Sequence, residues 1–336
     1  MQNANHRITL RSRPTGEATP DNFAADTAPV RAPEPGEVVV ESRLISIDPA
    51  MRVWISENPG YVPRVEIGEV MRAGGIGQVV ESRADRLSAG DWVQGPLGWQ
   101  THPTVAAAQL QKLDLSLGSP EDWIGPLGMT GVTAYFGMRE VARIRPGETV
   151  LVSGAAGAVG QMAGQIAALE ACHVVGIAGG SGKTRLLFEE HGFHGAIDYK
   201  AEKDLSAAIR RTCPDGIDVF YDNVGGPILE AALDNLRVGA RIVICGRISQ
   251  TAAPQLHGVR NLGNFIGKRA RMEGFVVFDY ASRYAEARTW IAAHLKSGRL
   301  RQRLHIINGL DRAPDGLGML FRGQNTGKLV VSLGGR

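Results

Sequence analysis

The chain has 336 residues, 43% hydrophobic and 21% charged, with a net charge of +3. That length allows one large or two ordinary domains around a buried core, and the small, scattered charge argues against a nucleic-acid surface. Three widely spaced cysteines (Cys172, Cys213, Cys245) suit a reducing compartment without disulfides, and no signal core or membrane-length apolar run is present, so a soluble cytoplasmic protein is expected.

From about residue 6 to residue 120 the chain reads as mostly β. Arg7 to Arg11 is a short strand. Val38 to Ile47 is a longer one, led in by the turn Pro35-Gly36. Ile67 to Val80 is broken by Gly74, Gly75 and Gly77, as where strands bend or cross closely. Leu87 to Val93 reads as a turn into another strand. Many short strands with glycine punctuation predict a barrel-like unit.

Near Ile124 the pattern changes. Gly131 to Val141 reads as helix, and Pro146-Gly147-Glu148 leads into a strand over Thr149 to Val152. Gly154, Gly157 and Gly160 follow. Val159, Met162, Ala163, Ile166 and Leu169 then recur at helical spacing, and His173 to Ala178 is a second strand. Strand, glycine turn, helix and strand together meet the context of a dinucleotide-binding βαβ unit. Its glycines let the backbone turn tightly and approach a pyrophosphate at a helix N-terminus.

An NAD site wants a carboxylate at the end of the second strand. Here that tip reads Gly179-Gly180-Ser181-Gly182-Lys183. Ser181 can donate and Lys183 supplies a cation for a 2′-phosphate, which predicts NADP(H). The competing reading makes Lys183 a solvated residue on the next helix.

Further elements alternate: helix near Lys183 to His191, strand Gly195 to Tyr199, helix Leu205 to Thr212 and strand Ile217 to Asp222. Then come helix Gly226 to Leu236, strand Arg241 to Cys245, strand Met272 to Phe278, and a helix carrying Tyr284, Ala287, Ile291 and Leu295. This predicts an α/β fold with a doubly wound parallel sheet. A last strand, Leu329 to Leu333, is expected to return to the first domain and pair with the sheet the chain began.

Several stretches resemble a known family: Ser12 to Gly16, Ile47 to Arg52, Ile67 to Met71, Gly95 to Gln100, Gly128 to Gly137 and Ala155 to Gly160. Asp222 to Gly226, Cys245 to Ser249, Arg271 to Val277 and Asn325 to Lys328 complete the set. On them the chain resembles the zinc-independent medium-chain dehydrogenase/reductases. It looks closest to the prostaglandin reductase, leukotriene hydroxydehydrogenase and curcumin reductase group of NADPH-dependent double-bond reductases. The resemblance implies a GroES-like β-rich catalytic domain over residues 1–123, completed by 302–336. A Rossmann NADP(H)-binding domain over 124–301 lies between, with the active site in the cleft between the two. It implies cofactor contacts at Ala155, Gly157, Ala158, Val159, Ser181, Lys183, Tyr199, Asn223, Cys245, Gly246, Ser249, Phe275, Val277 and Asn325. For Tyr199 and Cys245 simple packing competes with contact. It also implies a homodimer.

Residue counting argues against zinc. A catalytic zinc wants three protein ligands, and before position 120 the chain has no cysteine and only His6 and His102. Hydride transfer without a metal favours an alkene already activated by a carbonyl. The expected reaction is NADPH-dependent reduction of the C=C bond of an α,β-unsaturated ketone or aldehyde. Hydride would reach the β-carbon, donors would hold the resulting enolate oxygen, and a proton would reach the α-carbon. Relatives carry Tyr at the positions of Ala50 and Thr251, which widens the expected site and removes two phenols. The remaining donor candidates are Tyr61, Arg52 and Thr251. Tyr61 sits in the loop Asn58-Pro59-Gly60 and is equally a surface turn aromatic; Arg52 is expected to pair with a carboxylate or the cofactor before substrate. Trp54, Trp92 and Trp99 are candidate apolar walls, although core packing is the favoured reading for at least Trp92, and Ala252 to Phe265 is a candidate specificity segment. The alternatives are an NADPH quinone oxidoreductase or a non-catalytic NADPH-binding protein.

Overall fold

The computed structural model describes residues 4–253 and 255–334. The chain divides into two units. One holds residues up to Ile124, Leu304–Asn325 and the chain from Leu329; the other holds Gly125–Arg303 and Thr326–Lys328.

The first unit opens with β1 (Ala4–Leu10) and β2 (Phe23–Pro29), an antiparallel pair forming a sheet of their own. It continues with β3 (Glu37–Ser46), α1 (Ala50–Trp54), β4 (Gly75–Ser82), β5 (Trp92–Gly95), β6 (Thr104–Ala106), β7 (Gln111–Lys112) and α2 (Pro120–Ile124). Gly77 faces β3 so closely that a Cβ there would lie 2.4 Å from the Glu41 carbonyl oxygen, so glycine is what permits this crossing. Val38, Val40, Val79, Val93, Leu97 and Leu110 close the core between these strands.

The second unit runs α3 (Met129–Phe136), β8 (Thr149–Ser153), α4 (Ala158–Leu169), β9 (His173–Ala178), α5 (Ser181–Glu189), β10 (Gly195–Asp198), α6 (Leu205–Thr212) and β11 (Ile217–Asp222). It continues with α7 (Gly226–Leu233), β12 (Leu236–Ile244), α8 (Ile248–Thr251), α9 (Asn264–Lys268), β13 (Arg271–Gly274) and α10 (Tyr284–Lys296). Its sheet is parallel, in the order β10-β9-β8-β11-β12-β13. The order reverses beside β8, which creates the crevice where such folds take nucleotides.

The return consists of β14 (Leu304–Asn308), α11 (Ala313–Phe321) and β15 (Lys328–Ser332). The seven-stranded sheet of the first unit runs β14-β15-β3-β4-β5-β7, with β6 also on β3.

Four expectations need correction. β15 returns to the first unit but pairs with β3, not within the β1–β2 sheet that opens the chain: β1 has β2 on one edge, and its other edge bonds to Glu69, Met71, Trp99 and Thr101. The helix expected to reach Leu236 stops at Leu233: the Asn235 side chain turns back to the carbonyls of Ala231 (2.9 Å) and Ser206 (3.2 Å), and Leu236 already belongs to β12. The strand expected over Met272 to Phe278 ends at Gly274, and Val277–Arg283 winds into a 3-10 helix. The return is not wholly in the first unit, since Thr326–Lys328 groups with the second. There Gly327 N–H donates to Ala156 O (2.7 Å), and a Cβ on Gly327 would lie 2.0 Å from Arg303 O.

Candidate functional site

β8 delivers the chain to a turn built from Gly154, with φ +57, and Gly157, which precedes the first turn of α4. Ala155 N–H donates to Ile177 O (3.0 Å) and Gly157 N–H to Gly154 O (2.9 Å), which fixes the turn against β9. Gly160 allows the closest approach: a Cβ there would lie 2.2 Å from Gly154 O and 2.8 Å from Ala155 Cα, both backbone atoms that cannot yield. Ala155 is fully buried, while Gly157, Ala158 and Val159 keep partial exposure. The first turn of α4 begins here, and the first amides of a helix have no partner within the helix itself. Two buried glutamines of α4 grip a second segment. Gln161 Oε1 accepts from Arg303 N–H (3.0 Å), and Gln165 pairs with both backbone groups of Arg301, at 2.8 Å each.

At the end of β9 stand two lysines. Burial, and then the ammonium of neighbouring Lys200, hold Lys183 below the usual lysine range. The Tyr199 ring and the Lys200 stem lie over Gly179, where a Cβ would meet Tyr199 Cε1 at 2.8 Å and Lys200 Cε at 3.0 Å. Like charges gathered at a strand end fit an anionic ligand group. The sequence reading found no carboxylate here; the structure brings one in from β10. Asp198 Oδ1 accepts from Gly180 N–H (2.8 Å) and Lys200 N–H (3.0 Å), so this oxygen braces the two turns together. Neither Lys200 nor Asp198 was singled out; the signal available was their adjacency to Tyr199. Ser181 is exposed at the first residue of α5.

Beneath the crevice lies a web centred on Asp222, which is fully buried. Its carboxylate accepts from Ser153 Oγ (2.7 Å), Val224 N–H (2.9 Å) and Gly225 N–H (3.0 Å). Burial outweighs these donors and pushes its carboxyl above the usual carboxylate range. Asn223 donates its backbone N–H to Ser153 Oγ (2.9 Å) and its side-chain amide to Ser153 O (2.7 Å). Cys245 N–H and Gly246 N–H both donate to Asp222 O (2.9 and 3.0 Å). Burial pushes the Cys245 thiol up to about 11, so at neutral pH it is a packed thiol and not a nucleophile. Ser249 Oγ donates to Val224 O (2.7 Å), and Thr251 Oγ1 to Arg247 O (3.2 Å). Phe275 and Val277 are half-buried just after β13, and Val277 O accepts from the Tyr284 hydroxyl (3.1 Å).

In the first unit Tyr61 is 75% exposed on its loop, and Ala50 opens α1. Arg52 differs from expectation. It is 5% exposed, donating Nε to Gly16 O (2.7 Å) and Nη2 to Pro14 O (2.9 Å). These contacts are with carbonyls, not with a carboxylate, and they fasten the turn at Pro14–Gly16. Of the three candidate wall tryptophans the one in the core is Trp99, packed 5.1 Å from the Phe23 ring, and not Trp92 as expected: Trp92 is half-buried, and the Trp54 ring lies beneath the Arg72 guanidinium. Asn325 is half-buried and directly precedes Thr326.

A family model described as the N-terminal domain of oxidoreductase matches residues 6–113, and one described as zinc-binding dehydrogenase matches residues 158–293. Among the described residues no group of three or more His, Cys, Asp or Glu side chains could hold a metal ion, so these residues do not fit a zinc centre. The NADPH-dependent curcumin reductase of Escherichia coli (strain K12) is 37% identical over 337 residues, 98% of this chain and 97% of that one. The NADP(+)-dependent 2-alkenal reductase of Nicotiana tabacum is 39% identical over 336 residues, 98% of this chain and 97% of its own. The crystal structure of CurA in complex with NADPH from Vibrio vulnificus superposes with a TM-score of 0.92 at 36% identity, over 98% of this chain and 100% of that one.

Proposed function

The chain belongs to the double-bond reductase branch of the medium-chain dehydrogenase/reductase family, and we propose that it reduces the C=C bond of α,β-unsaturated ketones and aldehydes with NADPH. The observation that carries the cofactor choice is the strand end of β9. Lys183 and Lys200 gather there, and Asp198 spends Oδ1 on backbone N–H groups. NADPH, when bound, supplies the hydride. The amides around Gly157, Ala158 and Val159, next to Ala155, would hold the pyrophosphate, and Ser181, Lys183, Lys200 and Tyr199 the 2′-phosphate. Asn223, Cys245, Gly246, Ser249, Phe275, Val277 and Asn325 are assigned to the remainder of the cofactor. The Asp222 web keeps the ends of β8, β11 and β12 in register beneath it.

Tyr61 is the first candidate for donating to the carbonyl oxygen of the substrate, and Thr251 the second, its hydroxyl having to turn from Arg247 O to do so. Arg52 is reassigned from donor to positioning residue, since its guanidinium is committed to Pro14 O and Gly16 O. We further propose pairing of two copies along β13. This strand closes the sheet, its four residues are exposed, and Leu262 and Ile266 stand exposed in the adjoining segment. No described helix is long and apolar enough to cross a membrane. A cytoplasmic setting is supported by three free cysteines, two of them buried.

The test is decay of NADPH absorbance on adding a panel of linear and aromatic enones, with a naphthoquinone as the competing acceptor. Turnover of enones in preference to the quinone is expected; no turnover of any enone rejects the reading. Loss of turnover in Tyr61→Phe would assign the donor, and full turnover would pass the role to Thr251 or water.

A further inference from the structure

Residues after α8 form a segment without regular structure up to α9, part of the stretch singled out in the sequence as a specificity element; its Pro254 lies outside the described residues. One carboxylate on α7 fastens it. Glu230 accepts from Arg260 through Nε (2.9 Å), Nη2 (2.7 Å) and backbone N–H (3.1 Å), and it pairs with His257 Nε2 (2.9 Å). The Arg260 guanidinium and the other partners hold its carboxyl down at about 2. Next to it, Asn261 Nδ2 donates to Glu230 O (2.8 Å) and Asp234 Oδ1 (2.7 Å).

The other side of the segment is tied to the crevice. His257 N–H donates to Gln250 Oε1 (2.7 Å), and the same Gln250 packs over Gly226, where a Cβ would lie 2.5 Å from its Nε2. Gly226 has φ +60 and follows the Asp222–Gly225 turn, so the segment is built onto the turn that forms the crevice floor. Val259 packs inward on the core of the second unit, whereas Leu256 stays 64% exposed. Gln255, Leu256, His257, Gly258 and Arg260 line a concavity of about 410 Å³.

From this arrangement we propose that Glu230 is a positioning residue that sets substrate scope: it holds Gln255–Arg260 in the shape that presents Leu256 as an apolar wall for the bulky end of an enone. The inference rests on the enone-reductase reading above. A multidentate carboxylate–guanidinium pair fixes geometry where a lone surface ion pair would not.

The experiment compares wild type, Glu230→Gln, Glu230→Asp and Leu256→Ala with NADPH and two acceptors, 3-penten-2-one and the bulkier 4-phenyl-3-buten-2-one. Amide hydrogen exchange over residues 255–261 is read in parallel. For Glu230→Gln, exchange should quicken and KM for the aromatic enone should rise about tenfold, the scale of apolar pocket discrimination. Its kcat should stay within about twofold, as for lost ground-state binding, and the small enone should be unaffected. Aspartate should restore part of the KM, and Leu256→Ala should reproduce the KM split with exchange unchanged. Quickened exchange with no KM split, equal losses on both enones, or unchanged exchange would each overturn the proposal. Wild-type protein that turns over neither enone rejects the underlying reading instead, and the substrate part of this inference with it.

Discussion

Replacing Asp222 by alanine is the sharpest test of how the crevice floor is held. Three buried donors converge on that carboxylate: Ser153 Oγ, Val224 N–H and Gly225 N–H. Alanine leaves all three facing a methyl group. An orphaned buried donor costs about 1–3 kcal/mol, so three give roughly 3–9 kcal/mol. Two effects work the other way. Water entering the vacated space satisfies part of the loss, and the carboxylate's own burial, which raises its pKa, is relieved. The net expectation is therefore the lower end, about 3 kcal/mol, or a melting temperature lowered by about 6–12 °C at roughly 2–4 °C per kcal/mol. Ser153→Ala removes one donor to Asp222 and the acceptor of Asn223 N–H, and should cost less, about 1–2 kcal/mol. Thermal melts with and without NADPH, alongside fluorescence titration of NADPH, read both quantities. An Asp222→Ala protein melting within about 1 °C of wild type, with an unchanged Kd for NADPH, would refute the reasoning.

Lys183→Met should weaken NADPH by about 10–100-fold, the worth of one charge-assisted phosphate contact, and leave NADH nearly unchanged; equal losses for both cofactors in steady-state kinetics would remove Lys183 from the 2′-phosphate. Gly160→Ala drives a methyl to 2.2 Å from Gly154 O, so the turn and α4 must separate at a cost of about 1–3 kcal/mol, and NADPH affinity should fall with stability; a variant that melts and binds like wild type would show that the turn yields. Burial holds His191 below its ordinary value of 6.5. The unfolded chain therefore binds the extra proton first, and stability should be full above about pH 6.5 and decline as pH falls below it. Melts between pH 7.5 and 5 should show a weaker decline for His191→Leu; identical slopes would exclude this histidine.

What the sequence made legible was local. The strand at Thr149, the glycine turn and the helix from Ala158 follow from spacing within twenty residues, and each stands where periodicity places it. Lys183 is likewise a near neighbour in sequence of Gly179, Gly180 and Gly182. The Asp222 web was out of reach because its donors join β8 to β11 across roughly seventy residues, and nothing in either strand alone marks them. Arg52 is similar: its acceptors lie thirty-six and thirty-eight residues upstream, so a buried guanidinium read as a site cation. β2 escaped notice because Ala24, Ala25 and Ala28 carry no β-branched or aromatic signal and much of the strand is not buried. Glu230 gave no sign either, since a glutamate on a helix reads as solvated until the segment beyond α8 folds over it.

The place of β15 bears on the order in which the molecule is born. β4 lies along one flank of β3; the other flank is shared by β6, opposite Glu37–Val39, and by β15, whose Val330 to Ser332 lie opposite Leu44–Ser46 and are synthesised long after β3. Gly125–Arg303 contains all six strands of its parallel sheet and can close while synthesis continues. The N-terminal sheet must meanwhile wait with an unpaired edge, a template for stray strands. Removal of Val330 to Ser332 would therefore spare the unit with the parallel sheet and leave Leu44–Ser46 of the other unit open to aggregation.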